Sequence, residues 1–200
     1  KSLFAFIVFS LAASCIYIIN DYSDIESDRK HPQKKNRPLA SGAISKNTAV
    51  AVLIALLAIN VSLIVVGERY FHMNFWKFAT IIIFYFVMNI AYTYKLKHVA
   101  IIDVCIISIG FVLRVLAGGY ATGIYISQWA ILLTFVLALV LAIGKRRGEL
   151  INAQISGRTR KALDGYNVQF ADIALSISCA LAIVCYLMFI ICCCCSVIAI

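Results

Sequence analysis

Long apolar runs alternate with short polar segments along the whole chain. Several windows of about 18 to 20 residues are almost free of charged side chains. At a rise of about 1.5 Å per residue, a helix of that length crosses a hydrocarbon core of about 30 Å. Backbone groups in lipid must find partners within their own segment, which favours helices. The pattern therefore predicts an all-α, polytopic transmembrane helical bundle with six spans, at residues 2–19, 48–66, 75–93, 100–121, 127–144 and 171–195.

Composition excludes a soluble globular domain. Of the 200 residues, 63% are hydrophobic and 14% are charged, which is typical of membrane proteins. No internal repeat or low-complexity linker stands out, so we expect a single membrane domain over residues 1–200. The sequence begins with Lys1 and stops at Ile200 inside an apolar run, and we expect it to be a fragment of a longer protein.

The eight cysteines do not form a metal-binding pattern. Cys15, Cys105, Cys179 and Cys185 lie singly in apolar runs, and residues 192–195 have no loop that could shape a tetrahedral site. We expect these cysteines to act as small apolar side chains, with lipidation or metal binding as the open alternative.

The net charge of +9 is unevenly placed. Residues 20–46, 94–99 and 144–170 hold six, two and six Lys or Arg residues, whereas the connections 67–74 and 122–126 hold one and none. With six spans, the three basic segments lie on one face of the membrane, which the positive-inside rule assigns to the cytoplasm. The charge thus indicates a membrane surface, and we expect no nucleic acid partner.

The stretch NDYSDIESDRKHPQKKNRP, which begins at Asn20, interrupts the apolar pattern with four of the nine acidic residues and five of the eighteen basic ones. We predict that the first helix continues through its acidic part. At about 100° per residue, Asp21, Asp24 and Asp28 then fall within an arc of about 60°. Asn20 lies beside them, and Glu26 points to the opposite side.

Three carboxylates on one helical face repel one another and require a cation. Mg²⁺ is typically held by one or two carboxylates together with substrate phosphates. The spacing therefore predicts a metal–diphosphate platform at the membrane surface, with Asp21, Asp24 and Asp28 as catalytic and metal-binding residues beside a substrate-binding Asn20. The alternative is a solvated helix end whose Asp residues pair with neighbouring cations, namely Arg29, Lys30, Lys34 and Lys35.

Basic residues follow the carboxylates directly. A diphosphate bound through a metal still presents uncompensated oxygens, which Lys34, Lys35 and Arg37 could bind. Contact with phospholipid headgroups explains Lys35 and Lys46 equally well.

Two ionisable residues lie inside the fourth predicted span, where such residues usually face a cavity or a partner. Asp103 lies nearer the cytoplasmic end and is predicted to be a catalytic residue that completes the metal site. Arg114 lies about 16 Å further along the helix, since eleven residues separate the two. It either binds substrate or pairs with another buried group.

Further candidates for phosphate binding lie on the same predicted face. Tyr94, Lys95 and Lys97 could line the phosphate end of a pocket, or anchor a helix at the interface. Lys145 and Arg146 close the fifth span, where phosphate binding and simple positive-inside anchoring are both open.

Together these motifs resemble the UbiA superfamily of intramembrane prenyltransferases. Residues 20–28 match its first motif, N-D-x-x-D-x-x-x-D, completely. The triplet RPL at residues 37–39 follows, and then a segment rich in Tyr and Lys that ends in Asp103. Within the superfamily, the segments DIESDRKHPQKKNRPLASG, YKLKHVAIID, GFVLRVLAGG and LAIGKRRGEL are most similar to the branch that transfers phosphoribose to a polyprenyl phosphate. The resemblance covers residues 1–195.

The resemblance implies an all-helical fold, usually of nine spans, so this chain would lack the family's first helix and its last ones. It implies Mg²⁺-dependent transfer of 5-phosphoribose from phosphoribosyl diphosphate to a polyprenyl phosphate lipid, with release of diphosphate. The Asp residues of the first motif would bind Mg²⁺, with Asp103 on the opposite wall. Lys34, Arg37, Lys95 and Lys97 would hold the 5-phosphate or the lipid phosphate. Since the lipid phosphate is already an anion, no strong general base is needed.

One position departs from the wider superfamily. Many members carry a second D-x-x-x-D, but Ile107 stands where its second Asp would follow Asp103. A prenyltransferase that moves a polyprenyl group from its diphosphate to an aromatic or other acceptor is the alternative enzyme. A membrane lipid- or cation-binding protein is the non-catalytic alternative, although polar groups gathered at one face argue against an ion pathway. The oligomeric state stays open.

Overall fold

The computed structural model describes residues 1–30, 34–71, 75–156 and 166–198. Within these ranges the chain forms eight α-helices and no strand, with short 3₁₀ turns at Lys34–Asn36 and Leu96–His98. The helices are α1 Ser2–Ser23, α2 Ile25–Arg29, α3 Pro38–Ser41, α4 Lys46–Phe71, α5 Phe75–Tyr94, α6 Ile102–Thr122, α7 Gln128–Ser156 and α8 Val168–Ile198.

In the described part of the chain, six helices are long and apolar enough to cross a membrane, namely α1 and α4 to α8. They confirm the predicted all-α fold and its six spans. The largest difference is in α7, which continues past residue 144 to Ser156. Its continuation is rich in Lys, Arg and Glu, which are good helix formers, so the helix extends beyond its apolar window. Of the basic segment 144–170, residues 157–165 lie outside the described ranges.

The chain divides into two compact units. Unit 1 consists of Lys1–Tyr94 with Ala117–Ile124, and unit 2 consists of Lys95–Leu116 with Tyr125–Ile200. The single domain predicted from the sequence stays a prediction.

In unit 1, α1 packs against α4 and α5. The face that α1 buries is largely small or medium in size, since it includes Ala5, Val8, Ala12 and Cys15. Small side chains let helices approach closely in a membrane. A buried amide adds a polar contact between helices, because Asn60 Nδ2 on α4 donates a hydrogen bond to the Val8 carbonyl oxygen over 2.7 Å.

The polar end of α1 turns back on itself through α2 and α3. Arg37 is extended, with φ −62° and ψ 144°, as expected before a proline, and Pro38 opens α3 at a position that needs no N–H donor. Gly42 ends α3 with φ +83°, a conformation that favours glycine. Beneath the turn lies a small apolar cluster of Ile25, Leu39 and Ala49. This cluster holds α3 against α2, and so fixes the position of Arg37.

Unit 2 is built mainly on the packing of α7 against α8. Its core holds Ala142, Ile143 and Leu150 from α7, Ala171 from α8 and Val104 from α6. The aromatic ring of Tyr166, which lies two residues before the start of α8, belongs to the same core. An aromatic residue with a polar tip is therefore held inside an apolar cluster, where its hydroxyl needs a partner.

Candidate functional site

We use "acidic cluster" for Asp21, Asp24 and Asp28 together with Arg37. The helix does not run unbroken through this stretch, because Asp24 takes φ −98° and ψ 5° between α1 and α2. The helical hydrogen bonds nevertheless continue on both sides, from Asp24 N–H to the Asn20 carbonyl oxygen and from Asp28 N–H to the Asp24 carbonyl oxygen. The helical spacing between Asp21 and Asp28 therefore survives the break.

Arg37 joins two of the three carboxylates. Its Nη1 donates to Asp21 Oδ1 over 2.8 Å and to Asp28 Oδ2 over 2.9 Å. The side chains of Arg37 and Asp21 are 40% and 33% exposed, whereas that of Asp28 is 5% exposed. A partly exposed guanidinium thus offsets part of the clustered negative charge in this structure.

The acidic side chains differ in how far they are exposed to solvent, and the difference agrees with the helical periodicity. Asp21 and Asp24 are half-buried and Asp28 is buried, whereas Glu26 is exposed. Asp21 and Asp28 lie on one face, since a single nitrogen contacts both. Glu26 is therefore the natural comparison residue for the cluster.

Asn20 is held from a different helix. The Thr93 hydroxyl, near the end of α5, donates a hydrogen bond to Asn20 Oδ1. Thr93 is buried, and its hydroxyl also lies 2.9 Å from the Asn89 carbonyl oxygen, one turn earlier in α5. The sequence interpretation did not include Thr93. Its only signal is its place beside the Tyr- and Lys-rich end of a span.

The donor set of the acidic cluster fits Mg²⁺ chemically. The carboxylate oxygens of the cluster, and the amide oxygen of the neighbouring Asn20, are hard ligands of the kind that this ion prefers. Mg²⁺ usually takes few protein ligands and keeps coordination positions for water and phosphate. Among the described residues, no three His, Cys, Asp or Glu side chains are arranged to surround an ion by themselves. Substrate oxygens would therefore have to complete the coordination, and the metal-binding role of Asp21, Asp24 and Asp28 stays a prediction.

The cations predicted to bind phosphate differ in accessibility. Lys34 is half-buried and Lys35 is exposed, on the 3₁₀ turn before Arg37. Tyr94 and Lys95 are exposed at the end of α5, whereas Lys97 is buried. Their contacts with phosphate stay predictions.

We use "buried network" for Asp103, Arg146, Glu149 and Tyr166, all in unit 2. Asp103 is fully buried, and both of its carboxylate oxygens accept short hydrogen bonds. Arg146 Nε donates to Oδ2 over 2.6 Å, and the Tyr166 hydroxyl donates to Oδ1 over 2.7 Å. Arg146 Nη1 also donates to Glu149 Oε2 over 2.6 Å. The buried charge of Asp103 is thus paired and hydrogen-bonded, as a buried charge must be.

Tyr166 also holds the start of α6. Its hydroxyl oxygen accepts a hydrogen bond from the Ile101 N–H over 2.6 Å. Ile101 has φ +68°, which is uncommon for a β-branched residue and needs surrounding contacts to persist. Burial raises the pKa of Tyr166 well above its ordinary range, and the hydrogen bond to Asp103 raises it further. The tyrosine is therefore neutral, and remains a donor, at ordinary pH.

These contacts give two predicted site residues structural partners. Asp103 was predicted as a catalytic residue that completes the metal site, and Arg146 as a candidate for phosphate binding or for anchoring at the membrane surface. In the structure each binds the other. Neither Tyr166 nor Glu149 was predicted as a site residue. Glu149 lies one helical turn after Arg146, a spacing typical of helical ion pairs.

The two remaining candidates are exposed. Arg114 lies on α6 with its guanidinium carbon 5.2 Å from the centre of the Phe111 ring, and Lys145 lies on α7.

Also in unit 2, an apolar recess of about 430 Å³ lies along α6 and α7, lined by Ile109, Val112, Gln128, Ile131, Leu132 and Phe135.

Known proteins resemble the chain over nearly its whole length. The UbiA prenyltransferase family matches residues 1–199. A decaprenyl-phosphate phosphoribosyltransferase of Mycolicibacterium smegmatis is 39% identical over 91% of the chain and 55% of that protein. One of Mycobacterium tuberculosis is 35% identical over 91% of the chain and 58% of that protein. The chain thus spans a little over half the length of these curated relatives.

A solved structure shows the same fold. The UbiA homolog from Archaeoglobus fulgidus bound to DMAPP and Mg²⁺ superposes with a TM-score of 0.73, covering 94% of the chain and 65% of that protein at 20% identity. With six apolar helices among its described residues and this family match, the protein is an integral, multi-pass membrane protein. The chain belongs to the UbiA prenyltransferase family.

Proposed function

We propose that this protein transfers 5-phosphoribose from phosphoribosyl diphosphate to a polyprenyl phosphate and releases diphosphate, in a Mg²⁺-dependent reaction. The observation that carries the proposal is the acidic cluster, in which carboxylates converge at the polar end of a membrane helix. The choice of substrates follows the relatives, which are named decaprenyl-phosphate phosphoribosyltransferases.

The bond changes in this reaction are simple. An oxygen of the lipid phosphate attacks C1 of the ribose, and the bond from C1 to the diphosphate oxygen breaks as diphosphate leaves with the electron pair. The attacking oxygen already carries negative charge, so no side chain has to remove a proton. The protein's task is to position two anionic substrates and to stabilise the leaving diphosphate.

The acidic cluster suits the diphosphate end of this reaction. Asp21 and Asp24 would hold Mg²⁺ together with the diphosphate, and the ion would supply Lewis-acid stabilisation of the leaving group. Asp28 is the most buried of the three, and it would keep Arg37 in place. Asn20 would add a neutral polar contact beside the carboxylates.

Arg37 contacts two carboxylates and has N–H groups that could also bind a substrate phosphate. Both carboxylates share its Nη1, and the guanidinium has further N–H groups in a rigid fork that matches phosphate oxygens. With 40% of its side chain exposed, it is accessible from solvent. We infer that Arg37 binds a substrate phosphate while it orders Asp21 and Asp28, with Lys34 adding positive charge nearby.

A lipid acceptor and a water-soluble donor would meet at the membrane surface. The positive-inside rule assigns the polar end of α1 to the cytoplasmic face, from which a soluble sugar diphosphate would enter. We infer that the reaction takes place at the cytoplasmic surface.

The test is a transfer assay on the protein in nanodiscs. The protein is supplied with Mg²⁺, polyprenyl phosphate and phosphoribosyl diphosphate labelled in the ribose, and the label is measured in the lipid phase. Label that depends on Mg²⁺ and disappears with a chelator supports the proposal. Prenyl transfer from a polyprenyl diphosphate to an aromatic acceptor, without phosphoribosyl transfer, would overturn it in favour of a prenyltransferase.

A further inference from the structure

A buried hydroxyl contacts the first residue of the acidic motif from another helix. Thr93 is 1% exposed, and its Oγ1 donates to Asn20 Oδ1. The same hydroxyl lies 2.9 Å from the Asn89 carbonyl oxygen. Asn20 directly precedes Asp21 and is half-buried. The contact therefore links the last turn of α5 to the acidic cluster, within unit 1.

The chemistry of this contact restricts how Asn20 can be oriented. A threonine hydroxyl has a single proton, which can serve either Asn20 or Asn89, and its oxygen can accept a hydrogen bond as well. When the proton goes to Asn20, the amide oxygen faces Thr93 and the NH₂ group is left for a ligand. When the proton goes to Asn89, Asn20 can turn its NH₂ group to Thr93 and leave its oxygen for a cation. In both arrangements Thr93 determines which end of the amide is available.

We propose that Thr93 is a positioning residue that orients the Asn20 carboxamide for the metal–diphosphate site. This inference rests on the proposed function and deepens it. Thr93 does not contact the reacting atoms, because it acts through Asn20. Its loss should weaken binding of the diphosphate substrate and of Mg²⁺, and leave binding of the lipid acceptor unchanged.

Two variants of Thr93 test its hydroxyl separately from its methyl group, and a third variant serves as the control. Thr93→Val keeps the branched shape and removes the hydroxyl, and Thr93→Ser keeps the hydroxyl and removes the methyl group. Thr80→Val is the matched control in the same helix. The Thr80 hydroxyl makes the same bond one turn back, to the Trp76 carbonyl oxygen over 2.6 Å, but Thr80 is exposed.

The experiment measures kcat, both KM values and the Mg²⁺ half-saturation of these variants in nanodiscs. Loss of one hydrogen bond corresponds to a change of about five- to tenfold. We expect Thr93→Val to raise the KM for phosphoribosyl diphosphate and the Mg²⁺ half-saturation by that factor, with the KM for the lipid unchanged. Thr93→Ser should stay within about twofold of the wild type, and Thr80→Val should match the wild type.

A double variant tests whether Thr93 acts through Asn20. In an Asn20→Ala background, Thr93→Val should add no further effect on the donor KM. The proposal is overturned if Thr93→Ser is as impaired as Thr93→Val, if only kcat falls while both KM values stay constant, or if the effect of Thr93→Val persists in full without Asn20.

A binding measurement tests the role of Thr93 even if the proposed transfer reaction is not observed. If the wild type transfers no phosphoribose, the same variants are compared by the shift in melting temperature that Mg²⁺ plus inorganic diphosphate produces. A shift that Thr93→Val reduces and Thr93→Ser retains supports the positioning role. Equal shifts in all variants, or no shift in the wild type, overturn it.

Discussion

The acidic cluster and the buried network use the same side-chain types in opposite ways. In the acidic cluster, the side chains of Arg37 and Asp21 are 40% and 33% exposed, and one guanidinium nitrogen contacts two carboxylates. In the buried network, Asp103 is fully enclosed and has a separate donor for each oxygen. A cluster that is accessible to solvent can take up a cation, whereas an enclosed and hydrogen-bonded one holds helices in place.

The comparison also shows why the location of a charge in a membrane helix is an incomplete guide to its role. Asp103 and Asp21 both belong to spans in a membrane protein, and both attract a functional interpretation. The contacts that each side chain makes indicate that the two residues have different roles. Asp103 joins α6 to α7 and to the segment before α8, in the apolar core of unit 2. We therefore expect changes to the acidic cluster to affect turnover, and changes to the buried network to affect stability.

The largest expected effect is on turnover. Asp21→Asn or Asp24→Asn should reduce phosphoribosyl transfer by at least about a hundredfold, because each removes a carboxylate that would hold the Mg²⁺ that stabilises the leaving diphosphate. Glu26→Gln, which changes an exposed carboxylate on the other face of α2, should retain nearly full activity. Rates from the labelled-donor assay decide this, and equal losses in all three variants would contradict the one-face arrangement.

The next largest effect is on stability in unit 2. Arg146→Met leaves the Asp103 carboxylate buried without its charged partner, which should destabilise the protein by about 3–5 kcal/mol. Lys145→Met changes the exposed neighbouring cation on the same helix and should cost less than about 1 kcal/mol. Melting temperatures in one detergent compare the two, and similar values would show that the Asp103 pair is not a structural element.

A smaller effect is expected from Arg37. Arg37→Gln should raise the KM for phosphoribosyl diphosphate about ten- to a hundredfold, because charge-assisted hydrogen bonds to phosphate are lost. It also leaves Asp21 and Asp28 without their shared cation, so Mg²⁺ should stabilise this variant more than the wild type. Lys35→Gln, an exposed neighbour, is the control for general loss of positive charge. An unchanged donor KM in Arg37→Gln would remove Arg37 from the phosphate site.

The smallest effect concerns one hydroxyl of the buried network. Tyr166→Phe removes a donor to Asp103 and an acceptor for the Ile101 N–H, at a cost of about 1–3 kcal/mol in the free energy of unfolding. Because the pKa of Tyr166 is raised in the folded protein, the wild type should also lose stability as the pH rises above about 10, where the unfolded chain ionises first.

The pH effect on Tyr166 has a matched control. In the Phe variant, the loss of stability above about pH 10 should be smaller. Tyr186→Phe, an exposed tyrosine on α8, should change neither stability nor its pH dependence. Equal behaviour of the two Phe variants would contradict the role given to the Tyr166 hydroxyl.

Sequence periodicity predicted those features that depend on neighbours along one helix. The six spans follow from apolar length, and the shared face of Asp21 and Asp28 follows from helical geometry. The break at Asp24 was not predicted, but the backbone hydrogen bonds on both sides of it preserve the face.

Contacts between distant parts of the chain could not be predicted in this way. Tyr166 reaches Asp103 across 63 positions, and Thr93 reaches Asn20 across 73. Arg37 was assigned to phosphate, and its bridge between two carboxylates depends on the turn at Pro38 and on the apolar cluster beneath it. Such pairings come from tertiary packing, for which a local pattern carries no signal.

The central claim is that the acidic cluster binds the metal and the diphosphate substrate. Its most direct test is equilibrium binding of labelled phosphoribosyl diphosphate to the protein in nanodiscs, with and without Mg²⁺, for the wild type, Asp24→Asn and Glu26→Gln. The account predicts Mg²⁺-dependent binding that Glu26→Gln retains and Asp24→Asn loses. Binding that is indifferent to both Mg²⁺ and Asp24→Asn would contradict it.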